Sequence, residues 1–287
     1  MILWLRALRL PSLSFILLPI ALGQWMAFPN FSNWDMTLTA LTFLYGVFNQ
    51  AYIIFANDYA DRETDALNKT FTIFSGGSRV LPNHSISQEK IRNAGILCYL
   101  LLAILSLILG FFFERPFSPF FAIWSGILLW AYSYPPIRLS YRGGGEFLQM
   151  VGLGLILPLF GYYIQLGTME VFPIECLGVL FPTHLSSAIA TSLPDEPSDS
   201  LSGKRTLVVK YGSGLATKFL LLLQLWSILF LRLTYGSYLN FYLGILFLGL
   251  VASVPFRNAL PGQKELSFFV FLQILINFGI QITYFLL

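Results

Sequence analysis

Charged residues are scarce in this chain. Asp, Glu, Lys and Arg make up only 11% of its 287 residues, whereas a soluble domain carries roughly a quarter. Hydrophobic residues account for 56% of the chain, and the mean hydropathy is +0.71. The composition therefore excludes an ordinary soluble domain and indicates a polytopic helical membrane protein that lies in the lipid bilayer. We predict no nucleic-acid partner.

Cysteine and histidine are also rare, with two of each in the chain. Cys98 and Cys176 lie inside apolar segments without the spacing of a metal site, so we expect two small hydrophobic side chains and no disulfide. His84 lies in a polar loop and His184 in an apolar segment. Neither histidine has a partner at metal-ligand spacing, and we assign neither a catalytic role.

Nine apolar segments are long enough to cross a membrane as helices, which takes about 20 residues each. They cover about 11–29, 36–60, 90–113, 117–134, 145–167, 172–193, 214–233, 238–254 and 265–286. We see no internal repeat beyond an acidic cluster that occurs early and again late. The sequence thus predicts an all-α protein with nine transmembrane helices and one domain over residues 1–287.

Lys and Arg are distributed unevenly between the two sets of loops. With the N-terminus inside, the inner segments hold 15 of the 17 basic residues, and the outer side keeps only Arg115 and Arg232. Because cytoplasmic loops carry the excess of Lys and Arg, we expect the N-terminus and every polar motif on the cytoplasmic side. Nine spans then place the C-terminus on the opposite side.

A row of acidic residues follows the second apolar segment. On a helix, Asp58, Asp61 and Asp65 lie at i, i+3 and i+7, so their side chains share one face. Three like charges on one face repel each other unless a cation is bound. Carboxylate and amide oxygens, here with Asn57 included, are the ligands that Mg²⁺ prefers. The alternative is a solvated acidic helix end, which the scarcity of charge elsewhere disfavours.

A second acidic cluster follows the sixth apolar segment. Asp195 and Asp199 have i, i+4 spacing, but Pro194 and Pro197 are poorly tolerated inside a helix. We therefore expect the sixth span to break near Leu193, with Pro197 near the start of a short new helix. Irregular backbone at membrane depth survives where it lines a cavity or is buried in protein. The alternative is a loop that simply lies in the cytoplasm.

Basic residues near these clusters supply the opposite charge. Arg79 follows the flexible stretch 75–78, whose amides could approach an anion closely. Arg138 lies in a Pro- and Gly-containing loop, and Lys204 and Arg205 follow the second acidic cluster. Each alone could be an ordinary positive-inside anchor. Together with the two acidic clusters, they indicate a site for a divalent metal and a polyphosphate.

Four segments resemble those of the UbiA superfamily of intramembrane prenyltransferases. They are the first signature Asn57-Asp58-x-x-Asp61-x-x-x-Asp65, the second signature Asp195-x-x-x-Asp199 with Gly203-Lys204-Arg205-Thr206-Leu207, the loop from Tyr134 to Glu146, and Arg9-Leu10-Pro11 before the first span. Gly76-Gly77-Ser78 and the Tyr134 loop are most similar to the MenA-type branch, which prenylates 1,4-dihydroxy-2-naphthoate. The first signature also resembles the 4-hydroxybenzoate type.

The resemblance implies nine helices around a central cavity and Mg²⁺-dependent transfer of a polyprenyl group from polyprenyl diphosphate to an aromatic acceptor. It implies Mg²⁺ bridging both clusters through Asp58, Asp61, Asp195 and Asp199, supported by Asn57 and Asp65. Arg79, Arg138, Lys204 and Arg205 become the diphosphate-binding candidates, and Tyr134 becomes a candidate for orienting the acceptor or facing an allylic cation. Other acceptors remain open: 4-hydroxybenzoate, homogentisate, a glycerol phosphate ether or haem.

A transporter is the alternative from a different class. Intramembrane carboxylates often mark ion or proton pathways. Such a protein would place its acids near the middle of the membrane and show a paired-repeat architecture. Here the acids cluster at one face and no repeat is visible, so the enzyme is favoured.

Overall fold

The computed structural model of this protein describes residues 2–30, 34–236 and 240–286. Within these residues the chain folds into helices joined by turns and contains no strand. The helices are α1 (Ile2–Ala7), α2 (Ser14–Ala27), α3 (Met36–Leu67), α4 (Gln88–Phe112), α5 (Ser118–Ser133), α6 (Leu139–Arg142), α7 (Gly145–Val151), α8 (Leu157–Leu166), α9 (Leu177–Ser192), α10 (Glu196–Ser202), α11 (Leu207–Tyr211), α12 (Ser213–Tyr235), α13 (Asn240–Ser253) and α14 (Lys264–Phe285). The all-α prediction is confirmed.

Seven helical segments of the described chain are long and apolar enough to cross a membrane. They are Leu10–Ala27, Met36–Leu67, Gln88–Phe112, Gly145–Leu166, Ile174–Ser192, Ser213–Tyr235 and Lys264–Phe285. The other two predicted spans correspond to α5, with 16 residues, and α13, with 14 residues. Both helices are shorter than the roughly 20 residues that a span needs, and residues 238–239 lie outside the described chain. The protein is a multi-pass membrane protein, and the count of nine spans stays a prediction.

The chain divides into two compact units. The first unit comprises Met1–Ala66, Gly77–Leu139 and Leu155–Pro173. In it, α2 packs along α8 so closely that an added Cβ on Gly161 would lie 3.1 Å from the backbone nitrogen of Gln24. Small residues at such crossings let helix backbones approach, which is how helices commonly associate in membranes. This division does not test the prediction of one domain over residues 1–287, which stays a prediction.

The second unit comprises Leu67–Gly76, Ser140–Gly154 and Ile174–Leu287, and in it α9 packs against α7, α12 and α14. A buried polar cluster links three of these helices. Ser186 Oγ on α9 donates to Asn277 Oδ1 on α14 at 2.9 Å, and Gln224 Nε2 on α12 donates to the same oxygen at 3.1 Å. Asn277 Nδ2 in turn donates to Ser187 Oγ at 2.9 Å. Hydrogen bonds between helices are one of the main attractions available in lipid.

Replacing the central residue of this cluster should weaken the second unit. Asn277→Leu keeps the branching and the number of side-chain heavy atoms but leaves Ser186 and Gln224 without their shared acceptor, so we expect a loss of about 1 kcal/mol in the free energy of unfolding. Denaturation in mixed micelles measures this. Asn258→Leu, at an exposed position, is the control, and equal unfolding of the two variants would show that the cluster does not hold the helices together.

Candidate functional site

The first acidic row lies on one unbroken helix. Helix α3 continues to Leu67, so Asp58, Asp61 and Asp65 share a face as their spacing predicted. All three side chains are buried, with relative exposures of 3%, 2% and 8%. The alternative interpretation as a solvated helix end is therefore wrong.

Asp58 is only partly satisfied by the protein. The backbone N–H of Ser78 donates to Asp58 Oδ2 at 3.2 Å, and the Ser78 hydroxyl forms a second hydrogen bond to the same oxygen. The other oxygen, Oδ1, is buried and has no hydrogen-bond partner among the described residues. A buried carboxylate oxygen without a donor is costly. A bound cation would remove that cost, so this atom fits a metal ligand.

The segment after α3 folds back onto the end of the acidic row. Gly77 has a φ of 71°, and a Cβ at this position would collide with the Asp65 carboxylate, so only glycine permits the approach. Arg79 Nη1 donates to the backbone carbonyl of Asp65. The predicted diphosphate ligand Arg79 thus lies at the C-terminal end of α3, where a positive charge is favoured by the helix dipole.

Asn57 and Tyr134 both contribute to contacts between α3 and the end of α5. Ser133 Oγ donates to Asn57 Oδ1 at 2.9 Å, and the Tyr134 hydroxyl donates to the Ala56 carbonyl at 2.7 Å. Arg138 follows in the next turn, where its backbone N–H donates to the Tyr134 carbonyl at 3.0 Å. These bonds fix the backbone just before the first acidic row. The roles of Asn57, Tyr134 and Arg138 toward metal or substrate stay predictions.

The second acidic cluster has the predicted break. Helix α9 ends at Ser192, and α10 begins at Glu196 with Pro197 in its first turn. Asp195 immediately precedes α10, and its backbone carbonyl accepts from the N–H of Asp199 at 2.9 Å. The expected interruption and the short new helix are both confirmed, and the two aspartates lie on the same helical turn.

Both carboxylate oxygens of Asp195 accept hydrogen bonds from the segment after α3. Asn68 Nδ2 donates to Oδ1 at 2.7 Å, and the backbone N–H of Gly76 donates to Oδ2 at 3.0 Å. The Thr70 hydroxyl donates to the adjacent carbonyl of Pro194. Burial raises the pKa of the Asp195 carboxyl, and the Asn68 amide and the Lys204 charge oppose that rise.

Asn68 was not among the site residues predicted from the sequence, although its spacing from the acidic row was a signal. It lies three residues after Asp65 and ten after Asp58, so it extends the spacing of the acidic row. The pattern was defined by charged residues only, so the amide side chain at the next position did not count toward it. Its hydrogen-bond partner could not be predicted from the sequence, because 127 residues separate Asn68 from Asp195.

Lys204 is paired with the second acidic cluster. Its Nζ lies 3.8 Å from Asp199 Oδ1 and 5.6 Å from the ring centroid of Tyr141. The next residue, Arg205, donates its backbone N–H to the Ser140 carbonyl at 3.3 Å. The second unit therefore brings together Asp195, Asp199 and Lys204, three of the residues predicted from sequence.

The oxygen-rich donor set fits Mg²⁺ better than a closed structural metal site. No group of three His, Cys, Asp or Glu side chains in the described chain is arranged to hold a metal ion by itself. Mg²⁺ typically takes one or two carboxylates and completes its shell with water and substrate phosphates. The unpartnered Asp58 oxygen provides such a ligand, so the residues present fit a Mg²⁺ ion held jointly with a phosphate.

The chain is similar to curated relatives whose names describe two different reactions. It is 27% identical over 214 residues to digeranylgeranylglyceryl phosphate synthase of Methanospirillum hungatei, covering 72% of this chain and 69% of the relative. It is 26% identical over 233 residues to 2-carboxy-1,4-naphthoquinone phytyltransferase of Synechocystis, covering 77% and 69%. The two relatives are thus named for different molecules, digeranylgeranylglyceryl phosphate and 2-carboxy-1,4-naphthoquinone.

Solved structures show the same fold. A UbiA homolog from Archaeoglobus fulgidus bound to DMAPP and Mg²⁺ matches with a TM-score of 0.66 at 19% identity, covering 96% of this chain and 98% of the homolog. An apo UbiA homolog from Aeropyrum pernix matches with a TM-score of 0.66 at 14% identity, covering 94% and 97%. The sequence model of the UbiA prenyltransferase family matches residues 16–277. The chain therefore belongs to the UbiA prenyltransferase family and is a membrane-embedded prenyltransferase.

Proposed function

We propose that this enzyme transfers a polyprenyl group from a polyprenyl diphosphate to 1,4-dihydroxy-2-naphthoate in a Mg²⁺-dependent reaction. The observation that carries the proposal is the buried, unpartnered Oδ1 of Asp58 on a row of three buried carboxylates. A buried oxygen of this kind favours a bound cation, and a lipid diphosphate would supply remaining oxygen ligands of Mg²⁺. The positive-inside distribution of Lys and Arg supports a site on the cytoplasmic side.

The proposed metal ligands are Asp58 and Asp61 from the first cluster and Asp195 and Asp199 from the second, supported by Asn57 and Asp65, with one or two of these carboxylates on each Mg²⁺ ion and the diphosphate completing its shell. Bound there, Mg²⁺ would neutralise the charge that develops on the leaving diphosphate. Ser78 contributes by holding Asp58 through Oδ2, which leaves the Oδ1 lone pairs for the cation. In this proposal, the serine of the Gly76-Gly77-Ser78 segment orients the Asp58 carboxylate for metal binding.

The basic residues are proposed to bind the diphosphate directly. Lys204 and Arg205 lie beside the second acidic cluster, while Arg79 is fixed at the end of α3 and Arg138 lies in the turn after α5. Fixed cationic donors in a site with little water stabilise developing negative charge strongly. Exclusion of water from the site would also protect an allylic cation from hydrolysis.

The transfer itself exchanges one bond for another. The C–O bond between the prenyl group and the diphosphate breaks, and its electron pair leaves with the diphosphate. The acceptor ring carbon then forms the new C–C bond, and the ring regains aromaticity as its carboxylate leaves as CO₂. Tyr134 is proposed to face the cation or orient the acceptor, since its hydroxyl bond to Ala56 holds its ring beside the first acidic cluster.

A glycerol phosphate ether is the second candidate acceptor. The similarity to digeranylgeranylglyceryl phosphate synthase favours it, whereas the Gly76-Gly77-Ser78 segment and the naphthoquinone phytyltransferase favour the naphthoate. In the ether case a hydroxyl oxygen attacks the prenyl carbon and releases its proton. The two reactions give products of different mass.

An acceptor panel decides between these reactions. Purified enzyme in nanodiscs is given labelled geranylgeranyl diphosphate, Mg²⁺ and one acceptor at a time: the naphthoate, 4-hydroxybenzoate, homogentisate or geranylgeranylglyceryl phosphate. We expect a decarboxylated, prenylated naphthoquinol by mass spectrometry. A product with the glycerol phosphate ether alone would reassign the acceptor, and no product with any acceptor would contradict the proposed function.

Removing the charge of one aspartate in either cluster should impair the reaction. We expect Asp58→Asn and Asp195→Asn each to lower kcat/KM by about 100-fold, which corresponds to about 2.7 kcal/mol of transition-state stabilisation. The steady-state rate is measured across a Mg²⁺ titration. Glu63→Gln is the matched control, because Glu63 is an exposed acid on the same helix. Near-full activity of both aspartate variants would refute the proposed metal site.

A further inference from the structure

Glu146 is a buried acid that the proposed chemistry does not use. It lies in the first turn of α7 with a relative exposure of 5%. Its Oε1 accepts the backbone N–H of Leu207 at 2.6 Å, across 61 residues of sequence. Bonds from an amide to an ionised carboxylate are shorter and stronger than neutral ones.

The amide that Glu146 accepts from belongs to the start of α11. The first N–H groups of a helix have no partner within the helix. Thr206 caps α11 by accepting from the Val209 N–H at 3.3 Å, and Glu146 takes the N–H of the first residue, Leu207. The carboxylate therefore fixes the point where the segment 203–207 enters α11.

Three more contacts join the same two segments. The N–H of Arg205 donates to the Ser140 carbonyl at 3.3 Å, and Gly143 lies against the Arg205 carbonyl, 3.5 Å from the position of an added Cβ. Lys204 Nζ lies over the Tyr141 ring. Residues 140–146 thus contact residues 204–207 at four points, and among these the Glu146 contact alone has a side-chain oxygen as its acceptor.

We propose that Glu146 is a positioning residue for the diphosphate donors Lys204 and Arg205. By fixing the Leu207 amide, it holds the short segment that carries both cations in one conformation. Donors that are already held in the binding conformation bind the diphosphate without the entropic cost of ordering them on binding. This inference rests on the proposed function, because it takes Lys204 and Arg205 as ligands of the prenyl diphosphate.

Two substitutions remove the same hydrogen bond from its two ends. Glu146→Ala removes the acceptor. Leu207→Pro removes the donor, and proline is well tolerated at the first position of a helix. The preceding residue, Thr206, already has the extended ψ of 161° that a following proline requires.

The test measures KM and kcat for geranylgeranyl diphosphate and the Kd of its unreactive thiolodiphosphate. We expect both variants to raise KM and Kd about tenfold with a smaller change in kcat and an unchanged KM for the acceptor. Glu146→Gln, which keeps the Oε1 acceptor, should recover most of the affinity. Glu265→Ala is the control, since Glu265 is an exposed acid in the first turn of α14.

Combination with Lys204→Ala and Arg205→Ala separates this inference from the proposed function. If Glu146 acts through these cations, Glu146→Ala should weaken thiolodiphosphate binding little further in the Lys204→Ala, Arg205→Ala background. If that double variant binds the diphosphate like wild type, the assignment of the diphosphate donors fails. If it binds weakly while Glu146→Ala and Leu207→Pro bind like wild type, the positioning role of Glu146 is wrong and the donor assignment stands.

Discussion

A carboxylate inside an apolar helical bundle must be given donors or counter-charges, because burial removes the water that stabilises its charge. This chain meets that requirement mainly with backbone amides from segments distant in sequence. Asp58 takes the amide of Ser78, Asp195 takes the amide of Gly76, and Glu146 takes the amide of Leu207. In each case the acid also fixes the backbone that supplies the amide, so the acids order the polar loops.

Asp58 differs from Asp195 in one respect. Asp195 has a donor on each oxygen, from Asn68 and Gly76, whereas the buried Oδ1 of Asp58 lacks a partner among the described residues. One oxygen of Asp58 is thus a buried acceptor without a donor in the described part of the chain, on the helix that also carries the buried acids Asp61 and Asp65. An arrangement of this kind is unfavourable without a cation, and it is where the proposed function needs the metal.

The protein class, the shared face of the first acidic row and the interruption between α9 and α10 could be predicted from the sequence. Low charge and long apolar segments predicted the helical membrane protein, and the i, i+3, i+7 spacing predicted the shared face of Asp58, Asp61 and Asp65. Pro194 and Pro197 predicted the end of α9 and the start of α10, because proline cannot continue a helix. These features are local, so neighbouring residues determine them.

Contacts between distant segments were beyond sequence reasoning. The sequence around Asn68 does not predict its hydrogen bond to Asp195, and the sequence around Glu146 does not predict its hydrogen bond to Leu207. Both pairs form only because the fold brings distant segments together. The lengths of α5 and α13 depend on where turns begin, which apolar composition does not fix. The central claim is that Asp58 Oδ1 is a metal ligand. An experimental structure with Mn²⁺ and a prenyl thiolodiphosphate tests it most directly. We predict an anomalous peak within coordination distance of that oxygen, and a metal bound elsewhere with Asp58 Oδ1 still unpartnered would contradict the account.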